Sequence, residues 1–380
     1  MSVTKRKNIL FLASWYPNRV IPGNGIFIQK HAEAVALTNN VYVLHIITDP
    51  HNTKSIEITK NTQDGITAYI AYLKPTSNRV VKLFRYWKAY RLIKQKLPTI
   101  EINHVNVTYP IGLIALYEKW ILGKPYIISE HWSDYQEPMC NSIGFYTKKT
   151  TQLIAKNSSF LCPVTLHLEK AMQEFGMIGS YQTIANVVDT ELFTPTYSKE
   201  SSHFEITHIS NMGNDCKNVI GILRTISKLS YVIPKLRLNL IGSNTEQHLE
   251  EINTLGLKNI RIIGHLPHRE MVNYLQQSDV FVLFSNYENL PCVILEAFAC
   301  GIPVISSDVG GIHEYFPEDF GSLVPAKDEA SLEKAILELY TSKPYASPKK
   351  MHTYAAEHFS PKAINRTFSK IYEQAIALNS

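Results

Sequence analysis

The feature that most constrains this chain is a rhythm, played through twice, of short apolar runs separated by stretches with a helical apolar period. In the first half the runs fall at 9–13, 41–48, 66–73, 102–107 and 126–129. In the second half they fall at 206–210, 237–241, 260–263, 280–284 and 304–306. Runs of this length suit buried strands, and their alternation with helices predicts parallel βαβ units. Near 26–37, after a loop containing Pro22, Gly23 and Gly25, residues Ile28, Ala32, Val35 and Ala36 fit one helical face. Further helices are expected near 219–230, 245–255, 269–276 and 291–300. The rhythm breaks at 186–195, where polar residues and Pro195 intervene. The expected fold is therefore α/β, with two Rossmann-like domains facing across a cleft, 1–188 and 189–360. A last helix over 361–378 is expected to return to the first domain. In such sheets ligands sit beyond the carboxyl ends of the strands.

Composition agrees with this size of fold. A chain of 380 residues, 45% apolar and 19% charged, supports two cores and excludes disorder. Its apolar runs are far shorter than the ~20 residues of a membrane span. Lys5-Arg6-Lys7 before Ile9–Leu12 has the outline of a secretion signal, but Trp15-Tyr16-Pro17 follows and no small-residue cleavage site appears. It reads as a first buried strand. The five cysteines, 140, 162, 216, 292 and 300, form no CxxC pair. They are expected to be reduced thiols in a cytoplasmic protein, without a disulfide framework or zinc.

Charge is unevenly spread. Residues 1–185 carry 21 Lys and Arg against 11 Asp and Glu, while 186–380 carry 17 against 22. A basic half suits an anionic membrane or a phosphorylated carrier, or is an ordinary solvated face. Residues 79–96 hold seven basic and no acidic residues, with basic positions at 79, 82, 85, 88, 91 and 94. Steps of three rotate by about 300° on a helix, so these charges encircle it without forming one basic face. Any membrane contact there would use snorkelling side chains. No nucleic-acid partner is expected.

The segment 285–304 carries the most chemistry. Pro291 suits the first turn of a helix, Gly301 ends that helix, and Pro303 prevents its continuation. Backbone N–H groups around 290–293 would form an anion site aided by the helix dipole. Glu288 precedes that site, and Glu296 lies roughly 7–8 Å further along the helix. Such a place offers donors for a diphosphate and two carboxylates for hydroxyls, although two glutamates beside a helix are also consistent with surface charge.

Glu288 and Glu296 with the small-residue helix and Gly301-Ile302-Pro303-Val304 resemble the E-x7-E signature of retaining glycosyltransferase family 4. The likeness extends along nearly the whole chain. Trp15-Tyr16-Pro17 and Gly25-Ile26-Phe27-Ile28 are similar to that family's first loop. Asn186-Val187-Val188-Asp189 with Phe193 resembles its interdomain segment, Val187 replacing the usual glycine. Val309-Gly310-Gly311-Ile312-His313-Glu314 resembles its glycine-pair segment. The resemblance implies a GT-B fold and transfer, with retention, from a nucleotide-sugar to a hydroxyl of a glycan or lipid-linked acceptor. Surface polysaccharide or glycolipid synthesis, at the cytoplasmic face of the inner membrane, is the implied setting.

By the same resemblance, Glu288 contacts the donor sugar and Glu296 the ribose. Gly25, Asn186, Asn289, Leu290 and Pro291 join the donor-binding set. Lys217, after the run 206–210, is similar to the family's phosphate-binding lysine, which opens the next helix. An ammonium there stabilises the charge that grows on a departing diphosphate. Many relatives place an arginine five positions earlier, where this chain has Met212; Arg19 and Lys30 are speculative substitutes. His131, in Ser129-Glu130-His131-Trp132, resembles the histidine that meets the donor sugar, with Glu130 either orienting it or pointing away. The expected catalytic residues are thus His131, Lys217 and Glu288. No Asp-x-Asp triplet occurs, which favours transfer without a metal, and no cofactor is expected. The Gly-x-Gly-x-x-Gly fingerprint is also missing, against a dehydrogenase. A sugar-nucleotide epimerase of similar architecture, or a non-catalytic nucleotide-sugar-binding subunit, are the alternatives.

Overall fold

The computed structural model describes residues 6–136, 139–196, 202–341 and 345–379. The chain divides into two α/β units, Met1–Val187 with Pro361–Ser380, and Val188–Ser360.

Unit 1 is built on seven strands: β1 (Asn8–Ala13), β2 (Asn40–Thr48), β3 (Ile56–Gln63), β4 (Ile66–Leu73), β5 (Ile102–Asn106), β6 (Tyr126–Glu130) and β7 (Phe160–Pro163). Their order is β3-β4-β2-β1-β5-β6-β7. The pairs are parallel except β3 with β4, whose antiparallel register runs from Ile56 opposite Leu73 to Gln63 opposite Ile66. Strand β3 is an addition to the pattern read from the sequence. It is an edge strand with a mostly exposed, polar second half, so it carries no buried run. Asp64 and Gly65, both at positive φ, make the two-residue turn into β4, as tight hairpins require. The central β1 is covered on both faces, and Ile364, Phe368, Ile371, Tyr372 and Ala375 of the helix Pro361–Ala377 lie in this unit's core.

Unit 2 holds β8 (Phe204–Ile209), β9 (Leu236–Ile241), β10 (Ile260–Ile263), β11 (Val280–Leu283), β12 (Val304–Ser307) and β13 (Gly321–Val324). All its pairs are parallel. The order β10-β9-β8-β11-β12-β13 is that of a doubly wound nucleotide-binding sheet. The apolar face of the helix Val219–Leu229 supplies Val219, Ile222, Leu223, Ile226 and Leu229 to the core. Strand order reverses between β8 and β11, so a crevice opens beyond the ends of those two strands. Chains leaving them, 210–218 and 284–291, meet there.

Candidate functional site

The two chains at this reversal are stitched together before any side chain reaches a ligand. The Asn286 N–H donates to the Cys216 carbonyl at 2.7 Å, and the Asn286 side chain donates to the Asp215 carbonyl at 2.9 Å. The Cys216 thiol donates to the Tyr287 carbonyl at 3.4 Å. These bonds fix the residues that follow: Lys217 Nζ pairs with Glu288 Oε1, which also accepts from the Ser285 hydroxyl at 2.8 Å. The side chains of Lys217 and Glu288 are 17% and 10% exposed. Burial alone would lower the Lys217 pKa, but the Glu288 carboxylate outweighs it and the net shift is upward. The lysine is therefore held as an ammonium in a partly dry site.

Lys217 does not open the long helix that follows. It closes the single turn Asn214–Lys217, and Asn218, left-handed at φ 47, separates it from Val219–Leu229. The ammonium thus lies at the end of a turn, where a cation does not oppose a helix dipole, and its orientation is set by Glu288 and not by the later helix.

A second loop braces Glu288 from behind. Gly310 has φ +60, and a Cβ there would lie 1.9 Å from the Glu288 carbonyl oxygen. The Gly311 N–H donates to the Asn289 carbonyl at 3.2 Å. Glycine at 310 is required both by the left-handed backbone and by this crossing. From Glu288 the chain enters the helix Cys292–Ala299 through Pro291, which is the N-cap residue at φ −70, ψ 119 and so lies just outside the first turn in which the sequence pattern places it. No side chain caps this helix.

Glu296 is 4% exposed within that helix. Its Oε1 accepts from His268 Nε2 at 2.7 Å, whereas its Oε2 is shielded and without a hydrogen-bond partner. An unsatisfied buried acceptor costs about 1–3 kcal/mol and marks either stored strain or a place for a ligand donor. No motif or spacing marks His268, which stands at the start of the helix His268–Gln276.

Met212 is fully buried in the core of unit 2, at φ +60. Its N–H donates to the Ser210 hydroxyl at 3.0 Å, and its carbonyl accepts from Gln247 and His248. The Met212 side chain is core packing and brings no charge to the site. The suggested substitutes are engaged in unit 1: Arg19 pairs with Asp49 and Glu57, each at 2.7 Å, and Lys30 with Glu33 at 2.8 Å. Neither is a spare cation.

Unit 1 gathers Gly25, His131 and Asn186 around the ends of its central strands. Gly25, at φ 68, precedes the helix Ile26–Ala36, and a Cβ on it would strike the Trp15 backbone at 2.6 Å. The His131 ring lies 4.5 Å from Phe27 and 5.3 Å from His31. Burial, and then the nearby His31 and His104, hold its pKa well below the usual range, while the Asn186 side chain opposes them. His131 is accordingly a neutral hydrogen-bonding group. Glu130 does not orient its ring: the carboxylate binds the N–H groups of Thr108, His131 and Trp132 and the hydroxyls of Thr108 and Tyr135. It fixes the backbone on which His131 stands. Asn289, Leu290 and Pro291 lie with Glu288 in unit 2. Among the described residues, no group of three His, Cys, Asp or Glu is placed to hold a metal ion.

Residues 196–358 match the family model for group 1 glycosyl transferases. Over 357 residues the chain is 22% identical to a Bacillus subtilis protein provisionally named a teichuronic acid biosynthesis glycosyltransferase, covering 86% of this chain and 88% of that protein. Three further relatives are spanned over 50, 40 and 44% of their own length. Sucrose-phosphate synthase of Thermosynechococcus elongatus superposes with a TM-score of 0.79 at 18% identity, over 98% of this chain and 100% of that one. HepE of Anabaena, solved with UDP and glucose, superposes with a TM-score of 0.75 at 16% identity, over 97% and 100%. At these identities the two superpositions speak to fold.

Proposed function

We propose that the chain is a group 1 glycosyl transferase, the family whose model its residues 196–358 match, and that, on the GT-B fold it shares with the two solved structures, it moves a sugar from a nucleotide-sugar to an acceptor hydroxyl with retention and without a metal ion. The observation that carries this reading is the Lys217–Glu288 pair at the strand-order reversal of unit 2, beside an uncapped helix start. The UDP in the HepE structure supports a nucleotide-sugar donor.

Unit 2 takes the donor. Its diphosphate meets Lys217 and the N–H groups before Cys292–Ala299, its sugar meets Glu288, and its ribose meets Glu296. As the bond from the anomeric carbon to the diphosphate breaks, charge grows on the phosphate, and the fixed ammonium stabilises it more than it stabilises the ground state. The acceptor oxygen bonds to the same face of that carbon, and its proton passes to the departing phosphate. Unit 1 is assigned the acceptor, while Gly25 and neutral His131 keep the donor contacts that the family resemblance implies.

The acceptor is a glycan or a lipid-linked sugar, in surface polysaccharide or glycolipid synthesis on the cytoplasmic side of a membrane; the name of the Bacillus subtilis relative supports the first. Contact with an anionic membrane is supported by the helix Arg79–Lys94, on which Val80, Leu83 and Phe84 are exposed among Arg79, Lys82 and Lys88. Trp87 joins this helix to Tyr117 of Gly112–Leu122, where Trp120, Ile121 and Leu122 are also exposed. No described helix is long and apolar enough to cross a membrane.

The test is product analysis by NMR with nucleotide sugars, with and without acceptor sugars and with excess EDTA. Transfer with an unchanged anomeric configuration and undiminished rate in EDTA is expected. Conversion of the nucleotide sugar without an acceptor would point to an epimerase, and loss of activity in EDTA would overturn the metal-free reading.

A further inference from the structure

His268 lies 28 residues before Glu296 and was chosen by no motif, yet it makes the bond that fixes the glutamate. The carboxylate can only accept, so Nε2 carries the hydrogen and donates. With Oε1 so held at 2.7 Å, Oε2 alone is left to accept, and it is both shielded from solvent and without a partner. The histidine is itself seated. Phe193, fully buried, meets its ring edge-on with centroids 5.0 Å apart. Phe193 in turn sits in a turn organised by Asp189, whose carbonyl accepts from the Phe193 N–H at 2.8 Å and whose carboxylate accepts from Leu192 and Glu191. The Asp189 and Phe193 singled out in the sequence thus form the base of a support that ends on one carboxylate oxygen.

We propose that His268 is a positioning residue which, braced by Phe193, orients Glu296 so that Oε2 accepts from the ribose diol of the donor nucleotide. A carboxylate held through one oxygen is already in its binding orientation and need not be ordered by the ligand. Without the histidine the carboxylate is free to turn, and its remaining preference for a hydroxyl is lost with the orientation. This inference rests on the assignment of unit 2 as the donor site.

The test is calorimetric titration of wild type, His268→Ala and His268→Gln with UDP, GDP and ADP, and with the 2′,3′-dideoxy form of whichever binds. Wild type is expected to prefer the ribonucleotide by about tenfold or more, the scale of a hydrogen bond to a charged group. His268→Ala should weaken the ribonucleotide by a similar factor and bind both forms nearly equally. His268→Gln, which can place an amide N–H near the Nε2 position, should recover most of the preference; it also reads the effect if the alanine variant loosens the fold. Wild-type preference in His268→Ala, or a His268→Gln variant as indifferent as His268→Ala, would overturn the positioning role. Wild type that binds a nucleotide without distinguishing the dideoxy form overturns this inference alone. Wild type that binds none of the three overturns the donor-site assignment, and this inference with it.

Discussion

Lys217 and Glu288, 71 residues apart, form an ion pair where β8 and β11 end, and the Ser285 hydroxyl shares the same carboxylate oxygen. The pair makes each residue's role depend on the other. Glu288 keeps the ammonium charged and placed, and a diphosphate that binds Lys217 has to share it with that carboxylate.

Removal of either partner should therefore give opposite effects on binding. Lys217→Ala is expected to weaken UDP binding by about tenfold or more, because a charge-assisted contact is lost. Glu288→Gln is expected to keep or tighten UDP binding, since it frees the ammonium, while turnover falls by about 10²–10³. Titration calorimetry alongside turnover measurements checks this; equal weakening of binding in both variants would contradict it.

Gly310→Ala is expected to damage the site without touching a ligand. A left-handed alanine costs about 1–2 kcal/mol, and its Cβ would collide with the Glu288 carbonyl. The Glu288–Asn289 segment must move, so turnover should drop at least tenfold, the scale of a small misplacement in a preorganised site, with a modestly lower Tm. A variant with normal turnover would show that this crossing does not position Glu288.

Acid should unfold the protein earlier than its carboxylates require. Burial pushes His31 and His208 down to about 4, although backbone hydrogen bonds to Ala185 and Val282 oppose it. The unfolded chain takes up protons below about pH 6.5 and the folded one does not until about pH 4, so stability is full above 6.5 and falls as pH drops between those values. Each site then contributes a loss of about 2 kcal/mol by pH 5. Calorimetry should show Tm falling by several degrees from pH 7.5 to 5, and less steeply in His31→Gln, which keeps an N–H for the Ala185 carbonyl. A flat profile would contradict this.

The exposed apolar residues among the basic positions of Arg79–Lys94 should bind anionic vesicles. Co-sedimentation with phosphatidylglycerol vesicles is expected, falling steeply with added salt. Leu83→Glu with Phe84→Glu should abolish it while leaving UDP binding unchanged. Equal binding to neutral phosphatidylcholine vesicles, or none to either, would contradict the proposed contact.

Legibility in the sequence followed burial. Strands such as β1 and β11, covered on both faces, appear as unbroken apolar runs, whereas β3 is half exposed and polar and left only the Asp64-Gly65 turn as a trace. The strands β7 and β13 include Pro163 in one and Gly321 and Ser322 in the other, so they lack the unbroken apolar run of the equally short β11. In the candidate site, residue types and local spacing were readable, and partners distant in sequence were not. Glu288 and Glu296 share one segment, but the pairing of Glu288 with Lys217 and of Glu296 with His268 arises only when β8, β11 and the helix His268–Gln276 come together. That Met212 brings no charge was readable from the sequence, whereas the core of unit 2 that receives its side chain was not.

The central claim is that unit 2 binds a nucleotide-sugar through Lys217. A thermal-shift screen of wild type and Lys217→Ala against UDP-, GDP-, ADP- and dTDP-sugars in EDTA tests it most directly. At a concentration 100 times Kd, binding adds about 2.7 kcal/mol of stability, and a tenfold weaker Kd leaves about 1.4 kcal/mol, so at least one donor should raise the wild-type Tm by several degrees and the Lys217→Ala Tm by about half as much or less. No shift of wild type by any donor, or an equal shift in the variant, would contradict the account.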